Sequence, residues 1–463
     1  MDNQFSSVDL RQKIDGFLRK PAYVLLLMLL TAISFALRTE LLVYSVIALV
    51  VAYTCIWSED LLPLMPVFVC AYVAPSTANN PGQTEDSMFS GISGLYVVLL
   101  GVIIFSAVIY RIIRDRKQMF RKNGTLLSGL LVLTGAYLIS GIGFDGYLQR
   151  ALMNIPFGLV QGLSLLLPYW LLVGGVDWKK ARQDYFAWLG FGLGCVLVAE
   201  VVCIYISQGV VVDGVINRPL IYTGWGMYNN LGNLLAMMIP FAFWLGLHYE
   251  KPWIGFSGGL LLLIGVFMTC SRSSMIFATL CYSACWIWAP DEDKRIRNSM
   301  ILAVAAAIVG LLLILFREQL FLVFINILDD ASELGSRFDI YQQGIREFLK
   351  NPLLGATFYP AKGLSYSWAE TSVTAILPPR WHNTIIQLLA SAGIVGLAAY
   401  AFHRYQTVRL LVKCKSGKQI MLVFSLMVLL LGSLTDCHMF NVGPGLFYSM
   451  MLAWMEKKEL SSV

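Results

Sequence analysis

ASELGSRFDIYQQGIREFLKNPLLG (331–355) sits inside the longest polar interval of the chain, Arg317 to Trp381, and its reading decides the architecture. Elsewhere the connections between hydrophobic runs are shorter. A polar interval of about 65 residues needs a reason, because long connections in compact proteins are usually functional or disordered. This one reads as ordered. Phe338, Tyr341, Ile345, Phe348 and Leu349 recur at helical spacing over Gly335 to Lys350, and Asn351-Pro352 ends the pattern. The spacing predicts an amphipathic helix whose apolar stripe rests on the outer surface of a membrane bundle. The interval then forms a cap that carries Arg337 and ends at His382.

The composition agrees with a membrane bundle. Of 463 residues, 57% are hydrophobic and 13% charged, against roughly 25% charged in soluble domains. Apolar runs of about 17 to 22 residues recur, the length of membrane-crossing helices. The net charge of +6 is no nucleic-acid signature, since Lys and Arg cluster between the hydrophobic runs. The nine cysteines show no CxxC pair and no Cys/His metal spacing, so neither a disulfide framework nor a metal site is expected. Met1 to Lys20 is polar, and no small-residue cleavage site follows the first apolar run, which reads as a retained helix.

Fourteen intervals are candidate spans: 22–37, 41–57, 61–74, 91–110, 125–143, 151–174, 185–207, 226–247, 253–270, 273–289, 299–316, 382–402, 419–435 and 440–455. The third carries Pro63 and Pro66 and is short, so it is tilted, re-entrant or absent as a crossing. The expectation is an all-α polytopic membrane protein of about 12–14 transmembrane helices, with a long extracytoplasmic loop carrying short helices. Three regions follow: N-terminal helices over 1–184, a core over 185–402 that includes the loop 317–381, and a basic loop with the last two helices over 403–463. Five segments hold most of the positive charge: the N-terminus, 111–122, 178–182, 294–297 and 403–418. With fourteen spans all five fall on the cytoplasmic side together with both termini, as positive charge near span ends requires. The polar loops 75–90, 208–225 and 317–381 then fall outside. The same composition and topology predict residence in the cytoplasmic membrane.

Charges on the outer side are few, which makes each informative. Arg272, in MTCSRSSM, lies between two apolar runs separated by only a few small polar residues. A cation at that depth calls for an anionic partner, unless it snorkels to lipid headgroups. Arg337, in GSRFDIYQQG, is either in a local salt bridge with Glu333 or Asp339 or free to act with Arg272. Two guanidiniums, each able to make bidentate contacts, suit a diphosphate. His382 follows Pro378-Pro379-Arg380-Trp381 and opens a span. The positive end of a helix dipole favours a neutral imidazole there, which can accept a proton; the blander role is a structural histidine. Arg218, Asn229 and Asn230 precede another span, Asn383 follows His382, and Glu200 lies within the seventh span. Asp436 and His438, in LTDCHMFN, are lesser candidates to line the same cavity.

Taken together these residues resemble the O-antigen ligase and polymerase family, which includes capsular and teichuronic polysaccharide polymerases. Four pieces carry the resemblance in order: Arg218 with Gly224, Asn229 and Asn230; Thr269, Ser271 and Arg272; Ser336 and Arg337 with Asn351-Pro352 and Gly355; and His382-Asn383 with Ala392, Gly393 and Gly396. The resemblance covers roughly Val212 to Gly396. It departs at Tyr228-Asn229-Asn230, where many relatives show Asn-Pro-Asn. The resemblance implies a membrane glycosyltransferase of GT-C-like architecture with no metal or other cofactor. Its implied donor is a glycan on undecaprenyl diphosphate, and its acceptor is a glycan or lipid-linked hydroxyl. It further implies Arg272 and Arg337 on the diphosphate, His382 as the base, and Arg218, Asn229, Asn230, Arg380 and Asn383 as substrate-binding residues. Other polysaccharide-assembly proteins are the expected partners, and nucleic acid is not.

The competing class is a lipid-linked oligosaccharide flippase or other polysaccharide transporter. Such a protein should show internal pseudo-symmetry and charges along a mid-membrane path, whereas this sequence has no evident repeat and one dominant outer loop. The topology is directly testable. A single cysteine near Lys362, in a background stripped of native cysteines, should react with an impermeant reagent in intact cells or spheroplasts. Labelling only after lysis would overturn the orientation.

Overall fold

Each of the fourteen apolar intervals contains a helix in the computed structural model of the protein, which describes residues 2–74, 91–121, 124–145, 147–148, 151–212, 215–223, 226–289, 292–315, 331–358, 381–413 and 417–456. The N-terminal region begins with α1 (Asp2–Leu18), α2 (Pro21–Leu37), α3 (Glu40–Ile56) and α4 (Leu64–Val73). It continues through α5 (Gly91–Arg121), α6 (Leu127–Leu138) and α7 (Ala151–Gly175). Next come α8 (Tyr185–Ser207), α9 (Tyr228–His248), α10 (Pro252–Met268), α11 (Arg272–Trp288) and α12 (Glu292–Leu315). The polar interval supplies α13 (Ala331–Lys350), and α14 (Thr384–Val412), α15 (Gly417–Gly432) and α16 (Val442–Met455) follow. Between α8 and α9 the described chain forms two antiparallel ladders, Val211–Val212 with Val215–Ile216 and Tyr222–Thr223 with Gly226–Met227.

Among the described residues, Gly94–Met119, Asn154–Gly175, Tyr185–Ser207, Tyr228–His248 and Thr384–Val412 are long and apolar enough to cross a membrane; Leu10–Leu18 with Pro21–Leu37, bent by 72°, is a sixth candidate. Helix α4 has only 10 residues, about 15 Å of rise against a hydrocarbon core of about 30 Å. Its proline-bounded start and buried side chains make it an internal half-length helix.

Side-chain bonds define two ends of the bundle. At one, Arg19 donates to Asp60 at 2.8 Å, and Asp60 also accepts from the Leu62 and Asp177 N–H groups at 3.0 and 3.1 Å. Arg111 and Arg114 donate to the carbonyls of Thr54, Ile56, Ser58 and Glu59. They thereby satisfy the orphan acceptors at the C-terminus of α3, which would otherwise be costly near lipid. Asp184 accepts from Arg182 at 3.0 and 2.9 Å and from the Tyr249 hydroxyl at 2.9 Å. Trp178 meets Trp454 with ring centroids 6.0 Å apart, and Glu456 accepts from the Leu126 N–H at 3.1 Å, so the start of α6 and the end of α16 share this end. Gln406 donates to Ser128 at 2.7 Å, and Asn298 to the Trp286 carbonyl at 3.3 Å. The described residues of all five basic segments thus gather at one end.

At the opposite end the loop after α6 meets 351–355, α14 meets α15, and α9 meets the segment before α16. Here α14 breaks. Gly393 has φ 64° and ψ −160° inside an otherwise helical run, and the freed backbone groups are taken up by the segment after α13. Ile394 and Val395 donate to the Pro352 and Leu353 carbonyls at 2.9 and 3.1 Å, while Ala356 and Thr357 donate to Ala390 and Ser391 at 2.7 and 3.0 Å. Each such bond, if lost in a buried setting, costs about 1–3 kcal/mol.

The Asn351-Pro352-Leu353-Leu354-Gly355 and Ala392-Gly393 motifs are therefore two halves of one joint. A Cβ on Gly393 would meet the Leu353 and Leu354 backbone, and one on Gly355 (φ 69°) the Ser391 and Ala392 backbone. Gly393→Ala and Gly355→Ala should each lower the melting temperature in detergent, with a left-handed penalty alone of about 1–2 kcal/mol. Gly135→Ala, in a helix with nothing within 4 Å of the added carbon, should be neutral or stabilising. Equal melting temperatures for all three variants would refute the joint.

Candidate active site

The joint fixes where α13 and the start of α14 meet. Gly344 of α13 lets the helix close on α14, since a Cβ there would lie 2.6 Å from Ile386 and 3.1 Å from Trp381. Trp381 is buried, and its N–H donates to Gln387 Oε1 at 3.1 Å. The expected apolar stripe is divided by this packing. Tyr341 turns toward the bundle, whereas Phe338, Ile345 and Leu349 are exposed. The stripe therefore does not rest as a whole on the bundle, because the small Gly344 and the Tyr341 hydroxyl make the contact.

His382 precedes α14 in a left-handed conformation, φ 48°, which costs a residue with a side chain about 1–3 kcal/mol. Its neighbours hold it there. The Tyr341 hydroxyl donates to the His382 carbonyl at 3.2 Å. Asn383 caps the helix by accepting from the Ile385 and Ile386 N–H groups at 2.9 and 3.2 Å, and its own amide donates to the Leu434 carbonyl at 2.9 Å. Both ends of the Asn383 side chain are thus occupied in placing its neighbour. The Thr384 N–H donates to the Ser433 carbonyl at 2.9 Å.

The turn after α15 brings the partners. His382 Nδ1 lies 3.3 Å from Asp436 Oδ1, within ion-pair range but off the line of a good hydrogen bond. Burial alone would raise the Asp436 carboxyl. His382 and His438 facing it, with the Cys437 N–H, instead hold it well below the usual carboxylate range. The sequence led us to expect an imidazole governed by the helix dipole; the structure sets a carboxylate against it. One residue earlier, the Thr435 carbonyl accepts from Arg337 Nη1 at 3.0 Å.

Asn229 and Asn230 join through a second layer. His438 Nδ1 lies 3.1 Å from Asn230 Oδ1, which also accepts from Asn441. The neighbouring Asn229 carbonyl is 3.5 Å from the Ser274 hydroxyl, and Ser271 donates to Ser274 at 2.8 Å. Arg272 is the first residue of α11, after a turn with Cys270 at φ 55°. Its Nε and Nη2 are shielded from solvent. Arg218 stands on a short 3-10 turn with its guanidinium 5.6 Å from the Tyr228 ring centre. Arg380 lies outside the described residues. Glu200 is buried within α8.

Asp436 and His438 ranked low in the sequence, yet they sit at the centre of the cluster. The legible signal was an acid and a histidine two apart at a span boundary; their partners come from elements about 50 and 200 positions away. Because the Asp436 carboxyl is depressed, its contribution to stability is full above the unfolded value of about 4 and is lost only as pH falls on through the much lower folded value. Asp436→Asn should therefore lower the melting temperature at pH 7, and the gap to wild type should narrow as pH falls below about 4. A gap that stays constant would remove the carboxylate from this role.

Compared with known proteins, the chain matches a family model described as O-antigen ligase over residues 257–401. No curated protein matches it. The matched stretch contains Arg272, Arg337, His382, Asn383 and both halves of the glycine joint, while Arg218, Asn229, Asn230 and Asp436 lie outside it. Through residues 257–401 the chain is therefore similar to the O-antigen ligase family.

Proposed function

We propose that the protein transfers a glycan from an undecaprenyl-diphosphate-linked donor to an acceptor hydroxyl at the outer face of the cytoplasmic membrane, in the assembly of a cell-surface polysaccharide. The observation that carries this reading is the convergence of His382, Asp436 and the Arg337-bound turn at the end of the bundle opposite the five basic segments. Positive charge marks the cytoplasmic side of membrane proteins, so the cluster faces outward.

The acceptor hydroxyl oxygen attacks the anomeric carbon as the bond from that carbon to the diphosphate oxygen breaks, with inversion. The bonding pair leaves with the diphosphate. Arg272 and Arg337 bind the diphosphate and stabilise its growing negative charge. His382 takes the hydroxyl proton, and the Asp436 carboxylate holds the ring in place and stabilises the imidazolium that forms. Asn383 acts by positioning His382, and Arg218 and Asn230 frame the cavity.

Purified protein in lipid vesicles, given lipid-linked repeat units alone, distinguishes the two outcomes of this chemistry by product size. A ladder means polymerisation; product only after a separate acceptor is supplied means ligation. His382→Gln retains a hydrogen-bonding amide but cannot take the proton. It should fold and bind donor while transfer falls about a hundredfold or more. A Gln variant with most of its transfer activity would leave His382 as a structural residue and the reading without a base.

A further inference from the structure

Helix α1 bends by 72° from α2 and leans against the end of α3, where the Tyr53 hydroxyl donates to Asp15 Oδ1 at 3.2 Å. Beside this contact, α1, α3, α5 and the connection from α7 to α8 surround a cavity of about 670 Å³. That volume is within the range of ligand sites. The cavity lies at the basic end of the bundle, opposite the site built on His382. Its walls are largely polar, and they carry charge from every element: Arg11 of α1, Glu59 after α3, Arg114 and Asp115 of α5, and Asp177 and Lys179 before α8.

These charges are not equivalent. Asp115 is taken by Arg111 and Arg114, which also close on the carbonyls at the end of α3. Asp177 is taken by Lys180 at 3.0 Å. Among the described residues, Arg11 and Lys179 make no side-chain ion pair or hydrogen bond, and Glu59 is the one carboxylate of the walls left to oppose them. The cavity therefore favours an anion. Its rim tells which kind. Trp57 lines it and Tyr110 stands next to it, 5.7 Å from the Arg114 guanidinium, and both rings are about half exposed. Exposed tryptophan and tyrosine mark the headgroup depth of a bilayer. From that rim Ile113, Ile109, Phe105 and Val102 continue along α5 as an exposed apolar face. Such a face suits acyl chains, and a soluble anion has no use for it.

We infer that this cavity binds the headgroup of an acidic phospholipid from the leaflet at the basic end, with Arg11 and Lys179 as its phosphate contacts and its acyl chains along α5. Basic pockets between membrane helices suit such headgroups. A lipid seated there bridges α1 and the α7–α8 connection, which otherwise meet only across the cavity. It thereby fastens α1 to the bundle. This binding is independent of glycan transfer.

The test is native mass spectrometry of the full-length protein in detergent, titrated with phosphatidylglycerol or with phosphatidylcholine of the same chains. Wild type should retain phosphatidylglycerol in preference to phosphatidylcholine. Arg11→Gln combined with Lys179→Gln should weaken the tightest phosphatidylglycerol site about tenfold or more, the effect of removing two basic contacts at a membrane surface. Both side chains are exposed, so the melting temperature without lipid should be that of wild type. Arg297→Gln combined with Arg409→Gln removes the same charge from the basic end but touches no wall of the cavity. This control should bind as wild type does. An equal loss in the control, or no loss in the Arg11 and Lys179 variant, overturns the assignment. So does phosphatidylcholine held as tightly as phosphatidylglycerol. Glycerol phosphate at the same concentration should not displace the lipid; displacement would mean a soluble phosphate ligand and also overturns it.

Discussion

The break of α14 at Gly393 is the constraint on which the site depends. A helix interrupted near lipid exposes N–H and C=O groups that nothing apolar can satisfy. Here Pro352, Leu353, Ala356 and Thr357 satisfy them. The exchange fastens the segment that follows α13 onto the broken helix. With that segment held, α13 can deliver Tyr341 to the His382 carbonyl and Arg337 to the turn after α15. Both glycines of the joint have positive φ and backbone at the position a Cβ would take, so sterics alone explain why these positions are glycine.

The two ends of the bundle use charge in different ways. At the basic end, arginines close on backbone carbonyls and carboxylates, as Arg111 and Arg114 do on the end of α3. Those charges are spent on structure. At the site end, His382 is held in a left-handed turn with its ring against Asp436 and a quarter of its side chain still exposed. Strain that surrounding bonds maintain, on a titratable group facing solvent, is the usual condition of a functional residue rather than of a structural one.

Much of the organisation was legible in the chain itself. Apolar runs long enough to become helices, and Lys and Arg concentrated in alternate connections, dictate which ends of the helices lie together. Hydrocarbon tolerates neither charge nor open backbone, so these local patterns are nearly sufficient. The amphipathic spacing from Phe338 to Leu349 likewise announced α13, and its start was missed only because Ala331 to Leu334 adds no apolar repeat.

What only the tertiary structure decided is which residues meet. Asn383, implied by the resemblance as a substrate-binding residue, also caps α14 and bonds the Leu434 carbonyl. Asp436 looked peripheral and faces His382. Periodicity fixes the face and depth of a residue within its own helix, but not the neighbour across a long loop. The register between α14, α15 and the cap is set by the backbone bonds at Gly393 and by packing at Gly344. Those depend on close approach between segments distant in sequence, which no local pattern encodes.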